Sequence, residues 1–226
     1  MRNNVSDISL KFRLWTTREF EELLDEGKDQ DKEPKNLLEV GCGVGNLIFP
    51  LVANKCNNYF IYACDFSPRA IDFVKANEHY DSTKMKAFTC DITNQEIFNE
   101  IPAGSLDIIT MIFVLSAIHP ENFQQVIDTL FKLLKPGGLI LFRDYGLYDM
   151  AQLRFKPGNK IGENFYMRHD GTRSYFFSLE ETQKFFGSAG FDIVQNNFIE
   201  RRTINKKENL NVQRWFLQGK YQKPMR

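Results

Sequence analysis

The chain has 226 residues, a length that predicts one domain, with or without an elaboration, rather than two independent cores. Hydrophobic residues make up 42% of the sequence and charged residues 26%, which excludes collagen-like, disordered and disulfide-scaffold proteins. The net charge is zero, but residues 1–150 hold 15 Lys and Arg against 22 Asp and Glu, and residues 151–226 hold 14 against 7. Either both charged regions are simply solvated, or the C-terminal third binds an anion, of which nucleic acid is the commonest large one.

Membrane, targeting and metal signals are absent from the sequence pattern. The longest apolar stretch, residues 108–118, is shorter than the roughly 18 residues that span a bilayer. Residues 1–10 resemble neither a secretory nor an organelle signal, so we expect a cytoplasmic protein, with a nuclear location as the alternative. The cysteines lack C-x-x-C spacing, which predicts buried reduced thiols and no metal site, at Cys42, Cys56, Cys64 and Cys90.

Apolar runs alternate with amphipathic segments in the rhythm of β/α units. Strands are predicted at residues 37–40, 59–64, 86–90, 106–114 and 139–143. Helices are predicted at residues 46–54, 68–79 and 120–134, the second with Ser67 as its N-cap and Pro68 in its first position. Near-continuous apolar strands separated by helices are typical of a parallel sheet covered on both faces.

The rhythm changes after residue 144. Residues 145–177 are rich in Gly, Arg, Tyr and Phe without a clear period, which predicts an insertion. Ser178 and Glu181 have the spacing of a capping box, and residues 192–201 and 212–221 alternate like strands. We therefore predict a single domain over residues 1–226, with an N-terminal helical lead-in (1–36), a cofactor-binding core (37–144), a substrate-binding insertion (145–177) and a C-terminal helix and strands (178–226).

A Gly-rich turn follows the first predicted strand, where residues 39–46 read EVGCGVGN. Glycines let the backbone approach a ligand, although this turn does not complete the dinucleotide pattern G-x-G-x-x-G. Asp65 ends the second predicted strand, where folds of this kind place a carboxylate on a ribose diol. The alternative is a favourable charge at the N-terminus of the next helix.

These motifs resemble those of class I S-adenosylmethionine-dependent methyltransferases, through EVGCGVGN, Asp65, Asp91 with Ile92, and LKPGG at residues 134–138. Longer stretches resemble the methyltransferase-like enzymes that form 3-methylcytidine at position 32 of tRNA anticodon loops. They are LWTTREF at 14–20, CDFSPRA at 64–70, IFVLSA at 112–117, FRDYGLYD at 142–149 and DGTRSYFF at 170–177. The resemblance runs from about Trp15 to Pro224.

The resemblance implies an α/β, Rossmann-like fold with a mostly parallel seven-stranded sheet, helices on both faces and an antiparallel C-terminal strand. It implies an S-adenosylmethionine-dependent tRNA cytidine-N3-methyltransferase acting on serine, threonine or similar isoacceptors, in some members with seryl-tRNA synthetase as a partner. It implies that the cofactor is bound by Gly41, Gly43, Asp65, Asp91, Ile92 and Ile112. Family members usually carry an aromatic segment before the WTTR motif that folds over the cofactor, and because only residues 1–14 precede it here, we expect weaker cofactor capture.

Methylation of cytosine N3 needs no strong base, because N3 already has a lone pair, so the enzyme's task is orientation. The product is a cation, which a nearby carboxylate would stabilise. Asp144 is the candidate catalytic residue, and its alternative role is a structural partner of Arg143. Tyr145 or Tyr148 could stack on the extruded base.

The insertion interleaves cations with aromatic rings, a mixture that suits phosphate binding and base stacking. The cations are Arg154, Lys156, Lys160, Arg168 and Arg173, and the rings are Phe155, Phe165, Tyr166, Tyr175 and Phe176. We predict substrate contacts by Arg143, Tyr145, Arg168, Arg173 and Tyr175. Two alternatives remain open at this point: a small-molecule or protein methyltransferase on the same core, and an inactive binding module with the same fold.

Overall fold

The computed structural model of the protein describes residues 15–24, 33–53, 58–205 and 210–225. Within these ranges ten strands form two sheets. The strands are β1 (Lys35–Val40), β2 (Tyr59–Asp65), β3 (Met85–Thr89), β4 (Leu106–Ile112), β5 (Leu134–Tyr145), β6 (Lys160–Gly162), β7 (Phe165–Met167), β8 (Arg173–Tyr175), β9 (Asp192–Asn205) and β10 (Leu210–Gln222).

The larger sheet has seven strands in the order β3-β2-β1-β4-β5-β10-β9. Strands β1 to β5 pair in parallel, and β10 runs antiparallel to both β5 and β9. This confirms the predicted fold class. The strand order reverses between β1 and β4, and ligands in open α/β sheets bind at the carboxyl ends of the strands beside such a reversal.

Six α-helices accompany the strands in the described ranges: α1 (Trp15–Glu19), α2 (Ile48–Ala53), α3 (Pro68–Lys75), α4 (Phe123–Leu133), α5 (Met150–Leu153) and α6 (Leu179–Ser188). As predicted, Ser67 caps α3, with its Oγ accepting from the N–H of Ala70 at 3.3 Å. The predicted capping box is also present, since Ser178 and Glu181 each accept a hydrogen bond from the other's N–H. None of these helices is long and apolar enough to cross a membrane.

Two hydrophobic clusters cover the two faces of the large sheet. Successive residues of β1 alternate between them, because side chains of a strand point to opposite faces. Leu37 lies in one cluster with residues of α2 and α3, and Leu38 lies in the other with residues of α4 and α6. Phe20 and Leu23 join the first cluster, so the described N-terminal segment packs on that face. Helices therefore cover both faces, as predicted.

Two helix boundaries differ from the prediction for local reasons. Helix α2 begins at Ile48 rather than at residue 46, because residues 43–47 form turns in which Gly45 has a φ of +87°. Helix α3 ends at Lys75 rather than at residue 79. Just beyond it, the side chain of Asn77 accepts from the N–H of His79 at 3.0 Å, a local turn that competes with helix.

Strand boundaries differ as well. Strand β5 begins at Leu134 rather than at residue 139, because Leu134 pairs with Leu106 and the LKPGG motif joins the sheet. Strand β4 ends at Ile112 rather than at residue 114, since Phe113 has a φ of +58°. The hairpin of β9 and β10 extends past Tyr145, the last residue of β5, and so projects from the carboxyl edge of the sheet.

The predicted insertion, residues 145–177, contains α5 and the smaller sheet, which is antiparallel with the order β6-β7-β8. The rings of Phe155 and Tyr166 stack with centroids 4.8 Å apart, and both approach Phe176. Phe165 and Tyr175 belong to the same hydrophobic cluster as the large sheet. Aromatic residues therefore anchor the insertion on the core.

Candidate functional site

A cavity of about 600 Å³ lies at the carboxyl edge of the large sheet. Much of its lining follows directly after β1, β2, β3 and β4, so four adjacent strand ends form one wall. Five residues predicted from the sequence line it, and they are Gly41, Asp65, Asp91, Ile92 and Arg173. The structure thus brings most of the predicted cofactor residues together, as the topology of an open α/β sheet requires.

Gly41 begins the Gly-rich turn with a φ of +67°, a conformation that other L residues rarely adopt. A Cβ at this position would lie 2.4 Å from Cγ2 of Val114, which also lines the cavity. A side chain could not be accommodated without moving Val114. The backbone of residue 41 therefore forms cavity wall directly, which lets a ligand approach the chain closely.

Asp65 has both carboxylate oxygens fixed by the chain. Its Oδ2 accepts from the N–H of Gly43 and its Oδ1 accepts from the N–H of Ser67, each at 2.9 Å. Gly43 does not line the cavity itself and instead anchors Asp65. Each carboxylate oxygen has a second lone pair, so the oriented carboxylate can still accept from a ligand diol.

Asp91 and Ile92 form one end of the cavity, after β3. Asp91 Oδ1 accepts from the N–H and the hydroxyl of Thr93, at 2.9 and 2.7 Å, while Ile92 is buried beside it. Gln125 of α4 donates to the carbonyl of Thr93 at 2.8 Å, which joins this loop to the start of α4. A carboxylate next to an apolar surface suits a planar base that carries an amino group.

Glu39 provides a buried carboxylate beside the Gly-rich turn. It is 7% exposed, and its Oε2 accepts no hydrogen bond from the described residues. Burial and the nearby Asp65 raise the pKa of Glu39 well above its ordinary value. The Oε2 atom of Glu39 lies beside the Gly-rich turn and near Asp65. This arrangement fits S-adenosylmethionine, whose amino-acid part carries a positively charged ammonium group.

Two thiols form a neutral part of the cavity wall. Cys64 and Cys90 are buried, and burial raises the pKa of Cys90 to about 11 and that of Cys64 well above its ordinary value. Together with Cys42 they are free cysteines, in agreement with the prediction of buried reduced thiols, whereas Cys56 lies outside the described residues. Among the described residues, no group of three potential ligands could hold a metal ion.

Several lining residues were missed by the sequence analysis. Phe66 is 79% exposed at the cavity, and its position directly after Asp65 could have identified it. Phe113 lines the cavity just beyond the end of β4, where a functional residue is expected in this fold. Gly171 and Thr172 belong to the DGTRSYFF motif, but that motif does not indicate a cavity contact, because the insertion reaches the cavity only through the tertiary fold.

The sequence predicts Asp144 as a catalytic carboxylate at the substrate, and the structure places it in the interior instead. It is fully buried and does not line the cavity. Its carboxylate accepts from the N–H of Ser116 at 2.9 Å and of Tyr145 at 2.8 Å. Burial raises its pKa to about 6, against the effect of these hydrogen bonds and of Arg168. Asp144 holds two backbone segments in place and acts on the site through them.

Neither Arg143, predicted to contact the substrate, nor Ile112, predicted to contact the cofactor, lines the cavity. Arg143 is 3% exposed, and its guanidinium lies 3.3 Å from the carboxylate of Glu19 in α1. Adjacent strand residues point to opposite faces, so the alternative pairing of Arg143 with Asp144 is wrong as well. Ile112 packs against the cluster that contains α2 and α3, and the next residue, Phe113, lines the cavity in its place.

Tyr145 lies in a compact group of rings and guanidinium groups beside the cavity. The aromatic–arginine cluster consists of Phe113, Tyr145, Phe216, Arg168 and Arg214. Ring centroids of Phe113 lie 5.0 Å from Tyr145 and 5.4 Å from Phe216. The guanidinium carbons of Arg168 and Arg214 lie 5.0 and 5.9 Å from the Tyr145 centroid. Such cation–π contacts orient the planar groups.

Arg214 was not identified as a site residue from the sequence, because its partner, Asp149, is distant in sequence. The fully buried carboxylate of Asp149 accepts from Arg214 Nε at 3.0 Å and from the N–H of Trp215 at 2.7 Å. It also caps α5 through the N–H of Ala151 at 2.9 Å. Asp149 therefore joins the end of β5, α5 and the projecting hairpin, a long-range link that no local pattern indicates.

The sequence predicts that Tyr175 contacts the substrate, and the structure packs it in the core instead. It is 7% exposed, its ring packs on Phe123, and its hydroxyl donates to Glu181 at 2.5 Å. Most of the insertion's rings pack on one another or on the core. Its exposed cations are instead Arg154, Lys156, Lys160 and Arg173.

Comparison with known proteins gives a consistent result. A family model described as a methyltransferase domain matches residues 12–196. The chain is 53% identical to the tRNA N(3)-cytidine methyltransferase METTL6 of Rattus norvegicus, over 95% of this chain and 74% of that protein. It is 50% identical to the tRNA N(3)-cytidine methyltransferase METTL2B of Homo sapiens, over 84% of this chain and 50% of that protein.

The fold is shared with solved methyltransferases. The crystal structure of a SAM-dependent methyltransferase from Methanosarcina mazei matches with a TM-score of 0.67 and 17% identity, over 86% of this chain and 95% of that chain. At this identity the likeness concerns the fold alone.

Proposed function

Since this chain belongs to the family of tRNA N(3)-cytidine methyltransferases, we propose that it transfers the methyl group of S-adenosylmethionine to N3 of a cytidine in tRNA. One juxtaposition carries the proposal. Phe113 lines the donor cavity and also contacts Tyr145 and Phe216 of the aromatic–arginine cluster. A donor cavity therefore adjoins a group of planar side chains suited to a nucleobase.

The donor would be held in three parts. Of the cavity-lining residues, Gly41 would face its amino-acid part, Asp65 its ribose diol, and Asp91 with Ile92 its adenine. Glu39 does not line the cavity, but its buried carboxylate lies beside the turn of Gly41 and would favour the ammonium group of the amino-acid part. When bound, S-adenosylmethionine supplies an electrophilic methyl group on a sulfonium sulfur. Transfer to N3 uses a lone pair that neutral cytosine already carries, so no proton has to be removed from N3 before the methyl group is transferred.

The chain's contribution is orientation and exclusion of water. N3 must come to about 3 to 3.5 Å from the methyl carbon, in line with the bond that breaks. The wall made by Val40, Val114 and the protonated thiol of Cys64 is apolar, so it keeps water from the reacting atoms. Positioning of this kind can account for a large part of a rate enhancement.

The base must leave its stack before N3 is accessible. Tyr145 is half-buried between Phe113 and two arginines, so we propose that it contacts the extruded cytosine. Tyr148 is 69% exposed at the same edge of the sheet and would be available to a neighbouring nucleotide. Asp144 acts as a positioning residue, because it fixes the backbone of Tyr145 and of the turn after β4.

RNA phosphates would be bound by the exposed cations of the insertion, Arg154, Lys156 and Lys160. We further propose that the modified nucleotide is at position 32 of the anticodon loop, in serine, threonine or similar isoacceptors. A synthetase such as seryl-tRNA synthetase would be the protein partner. The support for these finer points is the motif resemblance, above all DGTRSYFF at residues 170–177 and FRDYGLYD at residues 142–149.

The direct test is methyl transfer in vitro. The protein is incubated with labelled donor and a tRNA transcript, with and without seryl-tRNA synthetase, beside a matched transcript in which cytidine 32 is replaced by uridine. We expect label in the first transcript only, recovered as 3-methylcytidine. Label in both transcripts at another nucleoside, or none in either while the donor binds, would contradict the proposal.

A further inference from the structure

One cation of the insertion differs from the others in its surroundings. Arg173 is exposed, and the structure records no ion pair or hydrogen bond for its guanidinium among the described residues. Unlike Arg154, Lys156 and Lys160, it lines the donor cavity. RNA binding, the role predicted for all five cations of the insertion, does not account for this location.

The turn that carries Arg173 has a fixed path into the cavity. Thr172 donates its N–H and its hydroxyl to Asp170 Oδ1, at 2.9 and 2.6 Å, and Gly171 has a φ of +82°. The carbonyl of Thr172 accepts from the N–H of Arg168 at 2.7 Å. These bonds close a tight turn between β7 and β8, and Gly171, Thr172 and Arg173 all line the cavity.

The turn is connected through the fold to the loop of Asp91 and Ile92, which lines the same cavity. Strand β8 packs against the turn Leu115–Ala117 after β4, and His119 and Asn122, which follow that turn, are also in the lining. Gln125 in the first turn of α4 donates to the carbonyl of Thr93, and Asn122 immediately precedes that helix. The insertion turn therefore belongs to the part of the wall assigned to the donor's adenine.

The guanidinium of Arg173, which has no polar partner among the described residues, is suited to contact a planar base in this cavity. Its plane can stack on an aromatic base, an interaction that a Lys ammonium cannot reproduce. Phe66, 79% exposed, offers a second planar group on the same cavity. We propose that Arg173 is a donor-binding residue whose guanidinium covers a face of the donor's adenine, so that the insertion that meets RNA also closes the donor cavity.

This inference rests on the donor assignment in the proposed function and not on the identity of the RNA. It is tested by isothermal titration calorimetry without RNA, using S-adenosylhomocysteine and 5′-methylthioadenosine, which lacks the amino-acid part. Arg173→Ala should weaken both ligands by about tenfold, because the lost contact is to the shared adenine. Arg173→Lys should restore little of the loss, since it keeps the charge and removes the plane.

The matched control is Arg154→Ala, which removes an exposed cation of the insertion that does not line the cavity and should leave both affinities unchanged. The melting temperature of Arg173→Ala should equal that of the unmodified protein, because within the described part of the chain the guanidinium has no hydrogen-bond or ion-pair partner. Affinities within twofold of the unmodified protein for both ligands would overturn the proposal. So would full recovery in Arg173→Lys, or a loss for S-adenosylhomocysteine alone. Methylation of a substrate other than tRNA would refute the proposed function without affecting these binding results.

Discussion

The carboxylate of Asp65 accepts two backbone hydrogen bonds and faces the donor cavity, so its replacement should affect both binding and stability. Asp65→Asn should weaken S-adenosylhomocysteine by about ten- to a hundredfold, because a hydrogen bond to a charged group contributes about 1.5 to 3 kcal/mol. It should also lower the melting temperature, since an amide cannot replace both acceptor oxygens. Calorimetry with Asp72→Asn as the control, an exposed carboxylate of α3 away from the cavity, isolates the effect. Unchanged affinity in Asp65→Asn would remove this residue from the donor site.

The buried carboxyl group of Asp144 should make the free energy of unfolding depend on pH. Burial raises its pKa to about 6, whereas its pKa in an unfolded chain is about 4. At a pH between these two pKa values, Asp144 holds a proton in the folded protein that it has released in the unfolded chain. The contribution of Asp144 to the free energy of unfolding is therefore greatest at low pH and is lost as the pH rises through about 6. Asp144→Asn removes the titration. The stability difference between the unmodified protein and Asp144→Asn should therefore be about 1 kcal/mol larger at pH 5 than at pH 7.5.

Urea unfolding of both proteins at the two pH values measures this difference, because the titration of all other groups cancels. A difference independent of pH would mean that Asp144 is not buried as described. A smaller stability difference at pH 5 than at pH 7.5 would mean that its charged form is the stabilised one.

At the scale of elements, the insertion should control the salt dependence of RNA binding. Lys156 and Lys160 are exposed beside the short helix α5 and strand β6. If each binds a phosphate, Lys156→Ala and Lys160→Ala should each weaken tRNA binding and reduce the slope of log affinity against log salt by about 0.7 to 0.9. The control is Lys75→Ala, an exposed cation at the end of α3. Fluorescence anisotropy over a salt series gives the slopes, and equal slopes for all variants would exclude the insertion from phosphate binding.

Elements of the large sheet could be predicted because their signals are local. A strand such as β2 is a continuous apolar run, and α3 begins with Ser67 and Pro68. Where the prediction failed, a local interaction competed with the regular pattern, as at Phe113, whose positive φ ends β4 early. The strands of the insertion are only three residues long, so alternation could not separate the buried Tyr175 from exposed neighbours.

The residues that line the methyl-donor cavity were predictable from the sequence, whereas those of the aromatic–arginine cluster beside it largely were not. Gly41, Asp65 and Asp91 lie at or just beyond the carboxyl ends of β1, β2 and β3, and topology alone brings these strand ends together. Asp149 and Arg214, by contrast, meet through folding of the insertion against the projecting hairpin, and Glu19 reaches Arg143 from another part of the chain. Sequence neighbours give no information about such pairs. For the same reason Arg173 was grouped with its neighbours in sequence rather than with the cavity.

Methylation of cytidine N3 in tRNA can be tested in cells. The most direct measurement is nucleoside mass spectrometry of tRNA from cells that lack the protein, with the unmodified protein or Asp65→Asn returned to them. We expect 3-methylcytidine to fall in the target isoacceptors, the unmodified protein to restore it, and Asp65→Asn to restore much less. Unchanged 3-methylcytidine in every tRNA of the deficient cells, together with a change in another methylated nucleoside, would contradict the proposed function.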